Sequence, residues 1–424
     1  MGRDDTDGRI GRRKYISTLG AGVTALLAGC SGDGGGGDGD GGGGDGGSDG
    51  GDGMDDGGDT PTPSPTPTDT MAAETTASGG GYTIGFPINN LGSSWKQVFR
   101  RTSEIYVQES DLDVELVVTD AEFEATNQID QIRSMMNQGI DALLLNAAAS
   151  DAVAGIAEEV ANAGIPVYSA DATASTDVVN LFTGFGSVRG GRRAGERLIE
   201  AMQPDGGNVY AIMGDPAVET IALRKQGLDN AVADADNVEI VGSGPGNFSR
   251  DKTATALDAF MQQEQVDGIF STWGGAALSA VTVLERRDRL FEKGEDGHVP
   301  IVPIDGFPDV LKNIRDGYID AALQQPMPAY GPLSFELMVQ HLDSGSYQGP
   351  SPGDELTADD LQLQDIEYEG VRMFSEQFWA PATTTSFESD DTSLHPWMKP
   401  QAVMITEDNV EADFLWGNYA DTIL

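Results

Sequence analysis

The chain has a single cysteine, Cys30, in 424 residues. A monomer therefore cannot close an internal disulfide. Its three histidines, His298, His341 and His395, follow no metal-ligand spacing, which argues against a zinc site or a Cys/His nucleophile pair. No Gly-rich phosphate loop and no Ser/His/Asp set stands out. These absences point away from an enzyme and away from any cofactor or metal. Between residues 31 and 80 apolar side chains nearly vanish, and Gly, Asp, Ser, Thr and Pro take their place. Such a stretch cannot bury enough surface to fold. Positive charge is scarce as well: 25 Lys and Arg stand against 69 Asp and Glu, a net charge of −44. A surface of that sign repels nucleic acid and anionic headgroups, so no nucleic-acid partner is expected.

What is present begins with an address. Arg12-Arg13 precedes an apolar segment, Ile16 to Ala28, that is too short to span a bilayer and has the length of a signal core. It ends in Leu27-Ala28-Gly29-Cys30, which resembles a lipobox. In that order the elements predict a twin-arginine lipoprotein signal over residues 1–30, lipidation at Cys30, and a membrane anchor outside the cell. Residues 31–80 then read as a tether, flexible and self-repelling in the Gly/Asp tract and stiffer through Thr60 to Thr68, where Pro alternates with Thr and Ser. Acidic residues also dot the helices of the folded part, and Lys is scarce beside Arg. This resembles proteins of salt-loving archaea; in molar salt the Debye length is about 3 Å and the self-repulsion is screened.

From Tyr82 onward, strand and helix patterns alternate in two similar halves, the signature of doubly wound parallel sheets. Ala142-Leu143-Leu144-Leu145 is a continuous apolar run, as expected for a parallel strand covered on both faces. Ile301 to Ile304 runs into Asp305-Gly306, and Pro308-Asp309 opens an amphipathic helix. Ligands of such sheets sit outside the carboxyl ends of the strands. A carboxylate there can only accept hydrogen bonds, which suits a ligand rich in hydroxyls. The same Asp also serves as a turn or cap residue, and this segment alone leaves both readings open. Other strand ends carry comparable groups: Asp171 after a strand, Trp273 at a strand exit, and Trp95 after the loop Asn89 to Ser94. For both tryptophans, core packing is the alternative.

"NNLGSSW", "IDALLLNAAASDAVAGIAEEVANAGIPVYSAD", "LRKQGL" and "PIDGFPDVLKNIRDGYIDAALQQ" together resemble the type I periplasmic solute-binding proteins, in particular the ribose- and galactose-binding group. The resemblance covers residues 81–345. It implies an α/β fold of two Rossmann-like lobes joined by a three-crossing hinge, near Gly184, near Gln325 and at a third place after Gly345. The corresponding domains are 81–185 plus 327–350 for lobe one and 186–326 for lobe two, with 351–424 as a C-terminal extension near the hinge. Position by position, the resemblance implies ligand contacts at Asn90, Trp95 and Asp171 in lobe one, at Arg224, Phe248, Trp273 and Asp305 in lobe two, and at Gln325 in the hinge. Its implied partners are a sugar or related polyhydroxylated molecule and an ABC permease with its ATPase, served by a monomer.

The chain departs from the ribose pattern in two places. Asp171 is followed by Ala172 where that pattern has Arg, and Trp273-Gly274 replace an Asn-Asp pair. Stacking area thus replaces hydrogen bonds, and the expected ligand is a larger sugar, a polyol or a nucleoside instead of ribose. Sensing in place of import is the alternative output. Sugar-responsive repressors share the core but carry a helix-turn-helix before the first strand, where this chain has a signal and an acidic tether.

Overall fold

The computed structural model describes residues 74–75, 81–214, 219–245, 249–389 and 392–424. The expected signal and lipobox, Cys30 included, lie outside the described residues, as do Phe248 and the expected tether apart from Glu74–Thr75, which pair antiparallel with Val117 and Val118. The first half alternates β1 (Tyr82–Ile88), α1 (Ser94–Glu109), β2 (Val114–Asp120), α2 (Ala125–Gln138), β3 (Ala142–Leu145), α3 (Ala154–Asn162), β4 (Val167–Ala170) and β5 (Val179–Thr183). The second half runs α4 (Ser187–Ala201), β6 (Gly207–Met213), α5 (Glu219–Ala233), β7 (Val238–Pro245), α6 (Arg250–Phe260), β8 (Gly268–Ser271), α7 (Gly274–Arg286), β9 (Ile301–Pro303), α8 (Pro308–Arg315) and β10 (Ala322–Gln324). Then follow α9 (Met327–Ser344), β11 (Ala382–Ser389), β12 (Thr392–Lys399), β13 (Val403–Ile405) and α10 (Trp416–Ile423).

Strands β1 to β5 pair in parallel in the order β2-β1-β3-β4-β5, and β6 to β9 in the order β9-β8-β6-β7. The fold is thus α/β with two doubly wound lobes. All four residues of β3 are buried because helices cover both faces of the sheet. Ser93 caps α1 by accepting the Lys96 N–H, and the helix turns Val98, Phe99, Ile105 and Tyr106 inward. Among the described residues no helix is long and apolar enough to cross a membrane.

The chain passes between the lobes three times, at residues 184–186, 325–326 and 400–402. Lobe one accordingly extends well beyond residue 350. The hairpin β11–β12 joins its sheet, with β12 parallel to β5 and Trp397 stacked on Phe182 at 5.5 Å. Sequence patterning passes over this hairpin because β11 is rich in Thr and Ser and β12 contains Pro396, which argues against a strand. It also passes over β5, a short strand behind a polar loop. Between Val371 and Phe378 only Val371–Arg372 forms a strand, paired with Glu367–Tyr368, and a 3-10 turn follows at Glu376–Phe378. After the third crossing, β13 pairs antiparallel with β10 in lobe two. Helix α10 then packs on α8 and α1.

Candidate functional site

The two lobes repeat one device at their facing strand ends. Asp171 follows β4 and Asp305 lies just beyond β9, and both adopt left-handed backbone, with φ of 63° and 81°. Asp tolerates this region because its short polar side chain can bond locally. Each backbone N–H is held by the neighbouring strand, Asp171 by Thr183 O and Asp305 by Leu323 O, both at 2.9 Å. Those neighbours, β5 and β10, are the strands from which the first two crossings depart. Both carboxylates are therefore fixed next to the hinge.

Each carboxylate stands beside a cation. Lys96 donates from Nζ to Asp171 Oδ2 at 2.6 Å and to Asn146 Oδ1 at 2.8 Å, although the residue is only 8 % exposed. Asn146 Nδ2 also donates to Asp171 Oδ2 and to Ala170 O. Opposite, Arg224 Nη1 donates to Thr272 O at 2.7 Å and lies 3.8 Å from Asp305 Oδ2, with the guanidinium over the Phe185 ring. Arg224 is placed by a close helix pair: a Cβ at Gly191 would lie 2.0 Å from Arg224 O, so only glycine lets α4 approach α5 this closely. Gln325, in the second crossing, donates Nε2 to Asp305 Oδ1 at 2.8 Å.

Asp305 is 5 % exposed, and burial pushes its carboxyl above the usual range. The Arg224 charge and the Gln325 hydrogen bond pull it back only in part, and the charge of Asp171 adds to the rise. The two strand-end carboxylates thus act on each other across the lobes. The buried Trp95 indole N–H also favours the charged form of Asp305, although it makes no hydrogen bond of normal geometry. Its ring lies under Lys96 Nζ at 5.2 Å and meets Phe99 at 6.0 Å. Trp273 is half-buried at the start of α7; the next residue, Gly274, is so close to Asp305 that a Cβ there would lie 2.3 Å from Asp305 O.

Of the residues expected from sequence, Trp95, Asp171, Arg224, Asp305 and Gln325 thus come together, and Trp273 adjoins them through Gly274, which lies against Asp305 O. Asn90 is buried, but its side chain bonds only locally, to Asn89 Oδ1 and Gly92 N. Two further residues belong to the cluster, Lys96 and Asn146, and Tyr330 packs next to it against Phe99, which meets Trp95. Asn146 was findable as the polar residue closing the β3 run. Lys96 resembles an ordinary surface lysine in sequence, and Tyr330 an ordinary core aromatic.

A family model described as "Periplasmic binding protein domain" matches residues 84–346. The galactofuranose-binding protein YtfQ of Escherichia coli (strain K12) is 23% identical over 274 residues, covering 62% of this chain and 83% of that protein. The ribose import binding protein RbsB of Bacillus subtilis (strain 168) is 24% identical over 256 residues, 60% of this chain and 80% of that one. In structure, the chain superposes with TM-score 0.60 on an ABC transporter periplasmic solute binding protein from Actinobacillus succinogenes 130z with bound D-allose. That likeness, at 17% identity, spans 78% of this chain and 99% of the other and establishes the shared fold.

Proposed function

The chain belongs to the periplasmic binding protein domain family, and on that premise we propose that it is an extracytoplasmic receptor for a sugar or related polyhydroxylated molecule. It holds the ligand between its lobes and delivers it to an ABC permease and its ATPase. The observation that carries this reading is the mirrored pair of strand-end carboxylates, half-buried Asp171 with Lys96 and buried Asp305 with Arg224. A hydroxyl can donate to a carboxylate while accepting from the adjacent cation, so each pair suits neighbouring hydroxyls. Two acids against two cations offer no net charge to an ionic ligand. Trp95 and Trp273 provide flat apolar faces for sugar C–H groups. The likeness to ribose- and galactofuranose-binding proteins supports the ligand class.

Closure of the lobes about the three crossings sequesters the ligand. Lipidation at Cys30 and the acidic tether hold the receptor at the outer membrane surface, a reading supported by the Leu27-Ala28-Gly29-Cys30 sequence. The test is isothermal titration in molar KCl with D-ribose, D-xylose, D-galactose, xylitol and myo-inositol, with D-galacturonate as a charged control, and small-angle scattering of any pair that binds. Binding of a neutral member with a smaller radius of gyration is expected. Failure of every neutral member, or a preference for the acid, overturns the reading.

A further inference from the structure

Tyr330 adds a buried hydroxyl next to this site, carried on a helix as Lys96 and Arg224 are. Tyr330 lies in the first turn of α9, just after the second crossing. Its ring meets Phe99 edge-on, with centroids 6.3 Å apart, and Phe99 in turn meets Trp95 at 6.0 Å and lies 6.0 Å from Lys96 Nζ. The side chain is completely buried, yet its hydroxyl has no hydrogen-bond partner among the described residues. A buried hydroxyl without a partner is destabilising, and such exceptions require an explanation. Phenylalanine would pack the same space without that cost, as Phe99 and Phe335 do beside it.

We propose that Tyr330 is a specificity-determining residue whose hydroxyl hydrogen-bonds an oxygen of the polyhydroxylated ligand. The proposal rests on the carbohydrate reading of the cleft. Two observations connect Tyr330 to that site. The ring chain Tyr330–Phe99–Trp95 leads from α9 to the Lys96–Asp171 pair, and Gln325, on the same stretch of chain, reaches Asp305. In addition, the charges of Asp171, Asp305 and Arg224 all bear on the Tyr330 hydroxyl. Burial and the two carboxylates hold its pKa well above the ordinary value, so it stays protonated and able to donate. A donor in this position complements the carboxylates: Asp171 and Asp305 accept from hydroxyls, and Tyr330 donates to one. The centre of the site then discriminates between ligands that differ by a single oxygen.

The test compares wild type with Tyr330→Phe by isothermal titration in molar KCl. It uses D-ribose, D-xylose, D-galactose, xylitol and myo-inositol, then each available monodeoxy analogue of the tightest binder. The expected result is about a tenfold weaker Kd for that binder in the variant. One deoxy analogue should bind wild type and variant equally, because the oxygen that Tyr330 contacts is already gone. The ligand-free variant should melt no lower than wild type. Equal affinity of both proteins for every binder overturns the proposal, as does the same tenfold ratio for all deoxy analogues. If no panel member binds wild type, the carbohydrate reading falls and this inference with it.

Discussion

Asp305→Asn separates what the carboxylate does for a ligand from what it does to the fold. In the native protein Asp305 accepts from Gln325 and lies 3.8 Å from Arg224. Burial outweighs both and leaves its pKa raised. A carboxyl raised in the folded state holds its proton there at pH values where the unfolded chain has released it. Stability therefore falls as pH rises from the unfolded value, about 3.9, through the higher native one, and the deficit persists at neutral pH. Asparagine has no charge to desolvate and keeps an oxygen for Gln325. The ligand-free variant should consequently melt at or above wild type at pH 7, with the gap closing as pH is lowered through that window. Binding should move the other way. Charge-assisted hydrogen bonds to the ligand contribute about 1.5–3 kcal/mol, so Kd should rise roughly ten- to hundredfold. Melts across pH together with titration of a bound sugar would read both effects. A variant that melts lower at pH 7 and binds with unchanged affinity would refute this account and leave Asp305 as a turn residue.

Other perturbations test separate parts of the structure. A Cβ on Gly417 would lie 2.3 Å from Gly306 O and 2.7 Å from Leu311 Cδ1, so Gly417→Ala should destabilise by about 1–3 kcal/mol in urea titration; unchanged stability would mean α10 does not brace the Asp305 turn. Partial burial lowers the pKa of His298, but the hydrogen bond and charge of Asp320 outweigh it, so the net shift is upward. Its stabilising contribution is complete below about pH 6.5 and is lost as pH rises through the higher native value; His298→Gln should flatten the fall in melting temperature over that range. With a net charge of −44, melting temperature should drop steeply from molar KCl to about 0.1 M, where the Debye length reaches about 10 Å, and a flat profile would contradict a salt-adapted surface. Cys30→Ser should shift the protein from the membrane fraction to the medium or leave an uncleaved precursor, as read by blotting.

The sequence made the strand-end half of the site legible. Aspartate after an apolar parallel strand announces itself twice, once by composition and once by position, and both Asp171 and Asp305 carry that signal. Lys96 carries none: a lysine in the first turn of an amphipathic helix reads as solvated, and only the fold shows it buried between Asp171 and Asn146. Tyr330 is hidden for the opposite reason, since an aromatic in an apolar helix reads as core; its unpartnered hydroxyl is a property of three-dimensional packing. The hairpin β11–β12 escaped because strand stability here comes from pairing with β5 and from the Phe182–Trp397 stack, not from local propensity.

The position of the two aspartates also ties the cleft to the hinge. Asp171 hangs by its backbone from Thr183, the last residue of β5, and the chain leaves lobe one immediately afterwards. Asp305 hangs from Leu323 in β10, and the chain leaves lobe two after the next residue. Gln325 closes the second loop, since it lies in the crossing and also donates to Asp305. A rotation about these crossings cannot proceed without carrying both carboxylates with the strands that hold them. A group bridging Asp171 and Asp305 would therefore act on the crossings through two short backbone hydrogen bonds, with no intervening side-chain relay.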